Sequence, residues 1–220
     1  IPVKTVFQKF HRVVRDIARK QKKEIELSVS GEEVEIDKRV ADTLTDPLMH
    51  LIRNACDHGI ESIEQRLAKG KSSTGNILLK ASYEGSHVVI RIIDDGKGLD
   101  SEKIAKQARI MGNDTENMTE DEIYNLIFLP GLSTAAEVTD VSGRGVGMDV
   151  VNASVKSLGG YVRIKSKLQK GTETIIGIPV SMGVSKALII ESNGSDFALP
   201  LENVLEAMKL SGVNRLVYSS

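Results

Sequence analysis

The chain has 220 residues, a formal net charge of −1 at pH 7, 40% hydrophobic residues and no tryptophan. This length leaves room for one large domain, or one domain plus fragments, with a mainly aliphatic core. A charge near zero provides no overall attraction to nucleic acid or to an anionic membrane. The longest uncharged run, residues 123–136, is shorter than the roughly 20 apolar residues of a membrane span. We therefore expect no nucleic-acid binding and no membrane insertion, and the single cysteine favours a reducing, cytoplasmic location.

The first part of the chain predicts helices and a hairpin. Apolar residues at helical spacing over residues 1–20 indicate an amphipathic helix with a basic, solvated face. Residues 24–29 and 34–36 alternate apolar and polar side chains around a glycine and predict a β-hairpin. Asp37 can cap a following helix, and Asp46-Pro47 predicts the start of a second one, because proline is tolerated at the first helical position.

The middle of the chain predicts two strands and then two helices. The strand patterns lie at residues 77–83 and 88–93, and the helical patterns at residues 101–111 and 119–127. Residues 130–146 are rich in glycine, serine and threonine and show no period. A loop of this length inside a compact domain is usually functional, often as a lid.

The last part of the chain completes a layered fold. A helix is predicted at residues 148–158, followed by strands at residues 161–167 and 172–180. We therefore expect an α/β fold, a two-layer α/β sandwich whose mixed sheet is covered by helices on one face. Short strands at residues 187–191 and 197–199 surround an Asn-Gly pair, which predicts a hairpin at the start of a truncated second β-domain.

Polar side chains cluster on the second predicted helix. His50, Asn54, Asp57, His58 and Glu61 are spaced three or four residues apart, and we expect them on one helix face. Asparagine offers a carbonyl oxygen to a hard cation such as Mg²⁺, and imidazole can orient or deprotonate a hydroxyl group. A solvated helix face is an equally good explanation of this pattern alone.

Two glycine-rich segments are candidate nucleotide-binding loops. Asp94 ends a hydrophobic strand before Gly96 and Gly98, so its carboxylate can accept a hydrogen bond from an amine such as that of adenine. An ordinary Asp-Gly turn is the alternative. Residues 143–148, Gly-Arg-Gly-Val-Gly-Met, open a predicted helix, where backbone N–H groups favour a phosphate. A flexible hinge is the alternative there. Thr172, between the last two predicted strands, can add a hydroxyl group near the base, but taken alone it is more simply explained as an ordinary turn residue.

The polar helix residues and the two glycine-rich segments, taken in their order along the chain, resemble the motifs of the Bergerat (GHKL) ATP-binding fold. This fold is shared by histidine kinases, Hsp90, MutL and type II topoisomerases. Within that fold the chain is most similar to the CheA family of chemotaxis histidine kinases. The residues that carry the resemblance are 47–61, 94–100, 130–134 and 141–151. The resemblance implies the end of a dimerisation helix at residues 1–20, a GHKL ATP-binding kinase domain at 21–180, and a linker with the start of a CheW-like β-domain at 181–220.

The resemblance also implies a role for each matching residue. His50 and Asn54 are implied as catalytic residues, and Asn54, His50 and His58 as residues at the metal. A lid is implied at residues 129–143, and ATP and Mg²⁺ are the implied cofactors. The implied ATP-binding residues are Arg53, Asn54, Asp57, His58, Asp94, Gly96, Gly98, Gly143, Gly145, Val146, Gly147, Met148 and Thr172.

The function implied by the resemblance is that of the catalytic core of a chemotaxis-type two-component sensor histidine kinase. Such a core binds Mg-ATP and transfers the γ-phosphoryl group in trans to a histidine on a separate phosphotransfer domain of the same protein. Response regulators, a CheW-like adaptor and chemoreceptors are the implied partners, and the full-length protein is expected to be a homodimer. Two alternatives stay open, namely a GHKL ATPase that uses hydrolysis for conformational gating and a non-enzymatic adaptor.

Overall fold

A computed structural model describes residues 1–132 and 147–180, and the backbone of two strands at residues 187–192 and 195–200. The chain forms two compact units, Ile1–Val180 and Ser181–Ser220. The helices are α1 (Lys4–Gln21), α2 (Lys38–Asn54), α3 (Ile63–Ala68), α4 (Ser101–Ile110), α5 (Glu120–Asn125) and α6 (Met148–Ser157). A single π-helical turn (Ala55–Gly59) follows α2, and a 3₁₀ turn (Leu126–Phe128) follows α5. The strands are β1 (Glu24–Ser30), β2 (Thr74–Glu84), β3 (His87–Asp94), β4 (Tyr161–Lys167), β5 (Gly171–Pro179), β6 (Ala187–Ser192) and β7 (Ser195–Pro200).

The first unit is built on a five-stranded mixed sheet in the order β1-β2-β3-β5-β4. β1 runs parallel to β2, and all other neighbours in this sheet are antiparallel. Ile77, Leu79 and Ala81 of β2 are buried at every second position, while the opposite face carries charged side chains such as Lys80 and Arg91. The apolar face packs against α1, α2 and α6. The predicted two-layer α/β sandwich with a mixed sheet is therefore confirmed.

The core of this unit is aliphatic with two phenylalanines from α1. Phe7, Leu44, Ile52, Ile90 and Val151 are all fully buried in one cluster that joins α1, α2, α6 and the sheet. A smaller cluster under α4 and α5 contains Ile104, Tyr124 and Ile164. Since α2 and α6 pack against each other, the end of α2 and the start of α6 are brought close together, and this packing positions part of the candidate site.

The predicted hairpin of residues 24–29 and 34–36 is wrong. Residues 24–30 do form β1, but β1 pairs with β2 instead of with residues 34–36. Residues 34–36 instead form hydrogen bonds with the first residues of the chain. Val3 N donates to Val34 O at 2.8 Å, and Ile36 N donates to Ile1 O at 2.9 Å. The alternating pattern was real, but the backbone partners of both segments lie elsewhere in the sequence.

The predicted helix start at Asp46-Pro47 is also wrong, because α2 runs without interruption from its cap at Asp37. Proline inside a helix costs about 3 kcal/mol, and burial of a leucine side chain contributes about 1.5–3 kcal/mol. Leu44 and Leu48, on either side of Pro47, are both buried in the core, and their packing offsets the cost. The helix then ends in the π-helical turn, so Glu61 lies beyond it and the expected helical stripe up to Glu61 does not form.

The remaining predicted elements of the described residues are confirmed to within a few positions. Beyond residue 180, β6 and β7 pair antiparallel, as the hairpin pattern predicted, and the register places Ile190 opposite Phe197. Among the helices of the described residues, no segment is both long enough and apolar enough to cross a membrane.

Candidate functional site

The end of α2 carries the first two candidate residues. Asn54 Nδ2 lies 3.0 Å from His50 Nε2 and 3.5 Å from Met148 Sδ at the start of α6. An amide nitrogen only donates, so His50 Nε2 accepts this bond and the ring proton is assigned to Nδ1. Both contacts of Asn54 use its nitrogen, so its carbonyl oxygen is the atom suited to a hard cation. We call His50, Asn54 and Met148 the helix-end cluster.

The imidazole of His50 is held in its neutral form. Burial lowers the pKa of His50, and the nearby charges of Arg53 and His58 lower it further. The ordinary pKa of histidine is about 6.5, so a lowered value leaves the ring uncharged at pH 7. This protonation state agrees with Nε2 as a hydrogen-bond acceptor for Asn54.

The π-helical turn after Asn54 is tied to the end of α1. Lys23 Nζ donates to Cys56 O at 2.7 Å and to Asp57 O at 3.1 Å. Gln21 Nε2 donates to the carboxylate of Asp57. The two bonds from Lys23 satisfy carbonyl groups that a helix end otherwise leaves to water. Gln21, the last residue of α1, and Lys23, just beyond it, therefore hold the turn that leads from Asn54 to the sheet.

The π-helical turn ends against the loop that follows β3. A methyl group on Gly96 would lie 2.3 Å from Gly59 O, so this approach requires a glycine. Gly59 O also accepts a hydrogen bond from Lys97 N at 3.0 Å. A methyl group on Gly59 would lie 3.4 Å from Asp94 Oδ1. The turn therefore brings the segment after Asn54 into contact with the segment after Asp94.

Asp94 is a buried carboxylate at the end of β3. Asp94 is only 8% exposed, and its Oδ1 accepts a hydrogen bond from Gly96 N at 2.9 Å. Burial raises the pKa of Asp94 to about 6, although the N–H groups of Gly96 and Thr172 act in the opposite direction. At pH 7 the group is mainly ionised, and it can accept a hydrogen bond from an exocyclic amine.

Two neighbouring segments close around Asp94. Gly98 has a φ of +68°, and a methyl group there would lie 2.3 Å from Lys167 O. Thr172 Oγ1 lies 3.1 Å from Ser166 Oγ, which donates to Gly171 O at 2.9 Å. The register of the sheet places Thr172 directly opposite Asp94. We call the following residues the strand-end cluster: Asp94, Gly96, Gly98 and Thr172.

An ion-pair network around the buried Arg66 and Glu61 lies next to the strand-end cluster, and it was not predicted from the sequence. Arg66 of α3 is 1% exposed and pairs with Glu61 at 3.2 Å and with Asp95 at 3.0 Å. Lys71 pairs with Glu61 at 2.9 Å. Arg66 and Lys71 lie in a polar stretch of the sequence, where no apolar pattern indicates that a charged side chain is buried. The one available signal was the second carboxylate, Asp95, directly after Asp94.

The start of α6 supplies the last described part of the candidate site. Gly147 is the N-cap residue of α6, and no side chain caps the helix there. Met148 then contacts Asn54, as described above. Gly143, Gly145, Val146 and most of the expected lid lie outside the described residues, so their roles stay predictions.

The structure thus assembles the sequence-predicted residues in two groups. Met148 joins His50 and Asn54, and Thr172 joins Asp94, Gly96 and Gly98. Arg53 and Asp57 are half-buried and His58 is exposed. Among the described residues, no three or more His, Cys, Asp or Glu side chains are grouped so that they can hold a metal ion. Asn54 is therefore the best candidate ligand for a cation that takes most of its other ligands from phosphates and water.

Comparison with known proteins identifies a family and several relatives. The sequence profile of the histidine kinase-, DNA gyrase B- and HSP90-like ATPases matches residues 43–182. The chain is 46% identical over 214 residues to the sensor histidine kinase CheAY of Helicobacter pylori, covering 96% of this chain and 27% of that protein. It is 44% identical over 210 residues to the chemotaxis protein CheA of Bacillus subtilis, covering 94% and 31%. The chain thus spans about a third of the length of these relatives.

The fold also matches solved structures. The catalytic domain of histidine kinase ThkA superposes with a TM-score of 0.51 at 17% identity, covering 82% of this chain and 93% of that chain. A blue-light activated histidine kinase of Erythrobacter litoralis gives a TM-score of 0.50 at 17% identity, covering 83% and 43%. At these identities the likeness concerns the fold alone. The chain belongs to the histidine kinase-, DNA gyrase B- and HSP90-like ATPase family, and the resemblance to CheA proteins that its motifs indicated is confirmed.

Proposed function

We propose that this chain is the catalytic core of a chemotaxis-type histidine kinase that binds Mg-ATP and transfers the γ-phosphoryl group to a histidine on a separate phosphotransfer domain. One observation carries the proposal. The five-residue turn Ala55–Gly59 connects Asn54, a candidate ligand for a hard cation, to Asp94, a buried acceptor for an amine. Membership of the ATPase family supports the nucleotide, and the CheA relatives support transfer to histidine.

The strand-end cluster is proposed to recognise adenine. The carboxylate of Asp94 accepts a hydrogen bond from the exocyclic amine, and a buried acceptor of this kind discriminates strongly against a base that lacks the donor. Gly96 and Gly98 let the backbone pass close to the base, because neither carries a side chain. Thr172, opposite Asp94, provides a hydroxyl group at the same end of the sheet.

The helix-end cluster is proposed to serve the phosphates. Bound Mg²⁺ would neutralise phosphate charge and hold phosphate oxygens, with Asn54 as its protein ligand and His50 and His58 nearby. His50 fixes the amide of Asn54 through their 3.0 Å hydrogen bond. Because His50 is neutral at pH 7, its Nε2 is the atom that can take up a proton from an incoming imidazole once it releases the hydrogen bond from Asn54. Gly143, Gly145, Val146, Gly147 and Met148 are proposed as the phosphate loop at the start of α6.

The proposal includes partners that belong to a longer protein. We propose that the phosphotransfer domain of the same protein, acting in trans within a homodimer, is the phosphoacceptor, and that response regulators receive the group next. A CheW-like adaptor and chemoreceptors in the cytoplasm are proposed as the signalling partners. Their support comes from the relatives, whose names include "chemotaxis protein" and "sensor histidine kinase".

A transfer assay tests the proposal. The chain is mixed with a CheA-type phosphotransfer domain, Mg²⁺ and ATP labelled at the γ-phosphate, and the label on the acceptor domain is measured. We expect label that requires the acceptor histidine. Release of phosphate without labelled acceptor would support the ATPase that uses hydrolysis for conformational gating, and a chain that binds no nucleotide would support the adaptor.

A further inference from the structure

We propose that Lys71, supported by Arg66, is a positioning residue for adenine recognition, because it fixes the peptide group whose N–H is directed at Asp94. The inference rests on the proposed function, since it assumes that Asp94 receives the adenine amine. Neither Lys71 nor Arg66 was among the residues that the sequence pointed to.

The contacts of Lys71 carry the first step of this inference. Its Nζ donates to three oxygens, namely Asp95 O at 2.9 Å, Gly96 O at 2.7 Å and Glu61 Oε1 at 2.9 Å. An ammonium group has three N–H donors, so every donor of Lys71 is used within this network. Two of the three acceptors are backbone carbonyls of the loop that follows Asp94.

The peptide between Asp95 and Gly96 carries the second step. Its oxygen accepts from Lys71 Nζ, and its nitrogen, Gly96 N, donates to Asp94 Oδ1 at 2.9 Å. The peptide group is planar and rigid, so a contact that fixes the oxygen also fixes the direction of the N–H. Lys71 therefore acts on the Asp94 carboxylate through one rigid unit, without touching the side chain of Asp94.

Arg66 supports the same loop from a buried position. Its guanidinium donates to both carboxylate oxygens of Asp95 at 3.1 and 3.0 Å and to Asp95 O at 3.3 Å. It also donates to Ser72 O at 2.7 Å and to Thr74 O at 3.1 Å. On the other side of Asp95, Asn76 N and Asn76 Nδ2 both donate to its carboxylate at 2.9 Å. The side chain and the carbonyl of Asp95 are thus held at once.

Glu61 balances the charges of this network. Burial alone would raise the pKa of Glu61, but the hydrogen bond from Lys71 and the charges of Lys71 and Lys69 outweigh burial, so its pKa lies below the usual range. Glu61 and Asp95 together match the charges of Arg66 and Lys71. A charged pair is tolerated in a buried place when its geometry is good and its hydrogen bonds are complete.

The chain offers a matched control for Lys71. Lys69 Nζ also pairs with Glu61 Oε1, at 3.6 Å, but its side chain is 38% exposed and it has no contact with the carbonyls of the loop among the described residues. Replacement of Lys69 by methionine removes the same kind of charge from the same carboxylate. It leaves the peptide between Asp95 and Gly96 held by Lys71.

The experiment compares the affinities of ATP, purine riboside triphosphate and tripolyphosphate for the wild type, Lys71→Met and Lys69→Met by calorimetry. Purine riboside triphosphate carries hydrogen in place of the 6-amino group. We expect the wild type to bind ATP about tenfold more tightly than this analogue, and Lys71→Met to reduce this preference to less than about threefold. Binding of tripolyphosphate should be unchanged, and Lys69→Met should behave as the wild type.

Each result has a clear consequence. A wild type without preference for ATP over the analogue contradicts the adenine assignment of the proposed function, and the inference fails with it. A preference that persists in Lys71→Met, or an equal loss for all three ligands, overturns the inference alone. Circular dichroism checks folding. If Lys71→Met does not fold, Lys71→Gln, which loses the charge and one of the three donors, carries the comparison with a smaller loss of preference, and an undiminished preference there overturns the inference. Recovery of the preference in Lys71→Arg would support positioning through the carbonyls.

Discussion

The strand-end cluster and the helix-end cluster are held in different ways. Around Asp94, backbone lies against backbone, and Gly96 and Gly98 approach carbonyl groups so closely that a methyl group would collide. In the helix-end cluster, half-buried His50 and Asn54 are held by side-chain contacts of 3.0 and 3.5 Å. A rigid pocket suits a base that does not change during a reaction. Side-chain contacts suit phosphates, whose charge and position change during transfer.

The two clusters also depend on different neighbours. The strand-end cluster rests on the network of Arg66, Lys71 and Asp95, in which the side chain of Arg66 is buried and that of Asp95 is 39% exposed. The turn that follows the helix-end cluster is tied to Gln21 and Lys23 at the end of α1. We therefore expect affinity for the base and competence for transfer to be separable, so that variants affect one without the other.

Asn54→Ala is expected to give the largest effect. Loss of a metal ligand removes several kcal/mol of charge stabilisation, so phosphoryl transfer should fall about 10³-fold. Removal of Mg²⁺ with a chelator should weaken ATP binding to the wild type but have little effect on ATP binding to the variant. Both are measured with labelled ATP and by calorimetry.

Asn113→Ala is the control for Asn54→Ala. Asn113 also donates from its Nδ2 to another part of the chain, Ala108 O at 3.3 Å, but it lies at the end of α4 outside both clusters. Its transfer rate should match the wild type. Equal dependence on Mg²⁺ in the wild type and in Asn54→Ala would show that Asn54 is not the metal ligand.

Gly98→Ala tests whether the strand-end cluster is as rigid as its geometry indicates. Gly98 and Gly70 have nearly the same φ, +68° and +71°, but a methyl group on Gly98 meets Lys167 O at 2.3 Å whereas one on Gly70 meets nothing within 4 Å. The positive φ alone costs about 1–2 kcal/mol, so Gly70→Ala should destabilise the chain by that amount. Gly98→Ala should lower the free energy of unfolding by at least about 3 kcal/mol, because backbone must also move. Urea unfolding measures both, and equal effects would contradict the close approach.

Asp94→Asn tests the recognition of the base separately from the recognition of the phosphates. A hydrogen bond to a charged group contributes about 1.5–3 kcal/mol, so ATP affinity should fall about 10- to 100-fold, while tripolyphosphate affinity should not change. The pKa of Asp94 is about 6, so the carboxylate is ionised above this pH and protonated below it. Wild-type ATP affinity should therefore fall as the pH is lowered through about 6, as measured by calorimetry from pH 5 to pH 8. The same fall in Asp94→Asn would assign the titration to another group.

The sequence predicted the fold better than it predicted the supports of the site. Apolar strand patterns identified β2 and β3, and the cap at Asp37 located the start of α2, because these signals are local. Pro47 led to a wrong prediction of a helix start, because the burial of its neighbours that offsets the cost of a proline inside α2 depends on the folded core. Arg66 went unnoticed because a charged residue in a polar stretch has no local mark of burial. Its partners Glu61 and Asp95 lie 5 and 29 residues away in the chain.

Met148→Leu should give the smallest effect and show how much the helix-end cluster depends on a side-chain contact. Leucine keeps most of the apolar volume but removes the sulfur that lies 3.5 Å from Asn54 Nδ2. A thioether is a weak acceptor, so transfer should fall only about twofold, corresponding to roughly 0.4 kcal/mol. Met118→Leu, at a methionine that is 36% exposed, is the control and should leave transfer unchanged. A tenfold loss in Met148→Leu would mean that the side chain of Met148, and not only its backbone in the proposed phosphate loop, contacts the nucleotide.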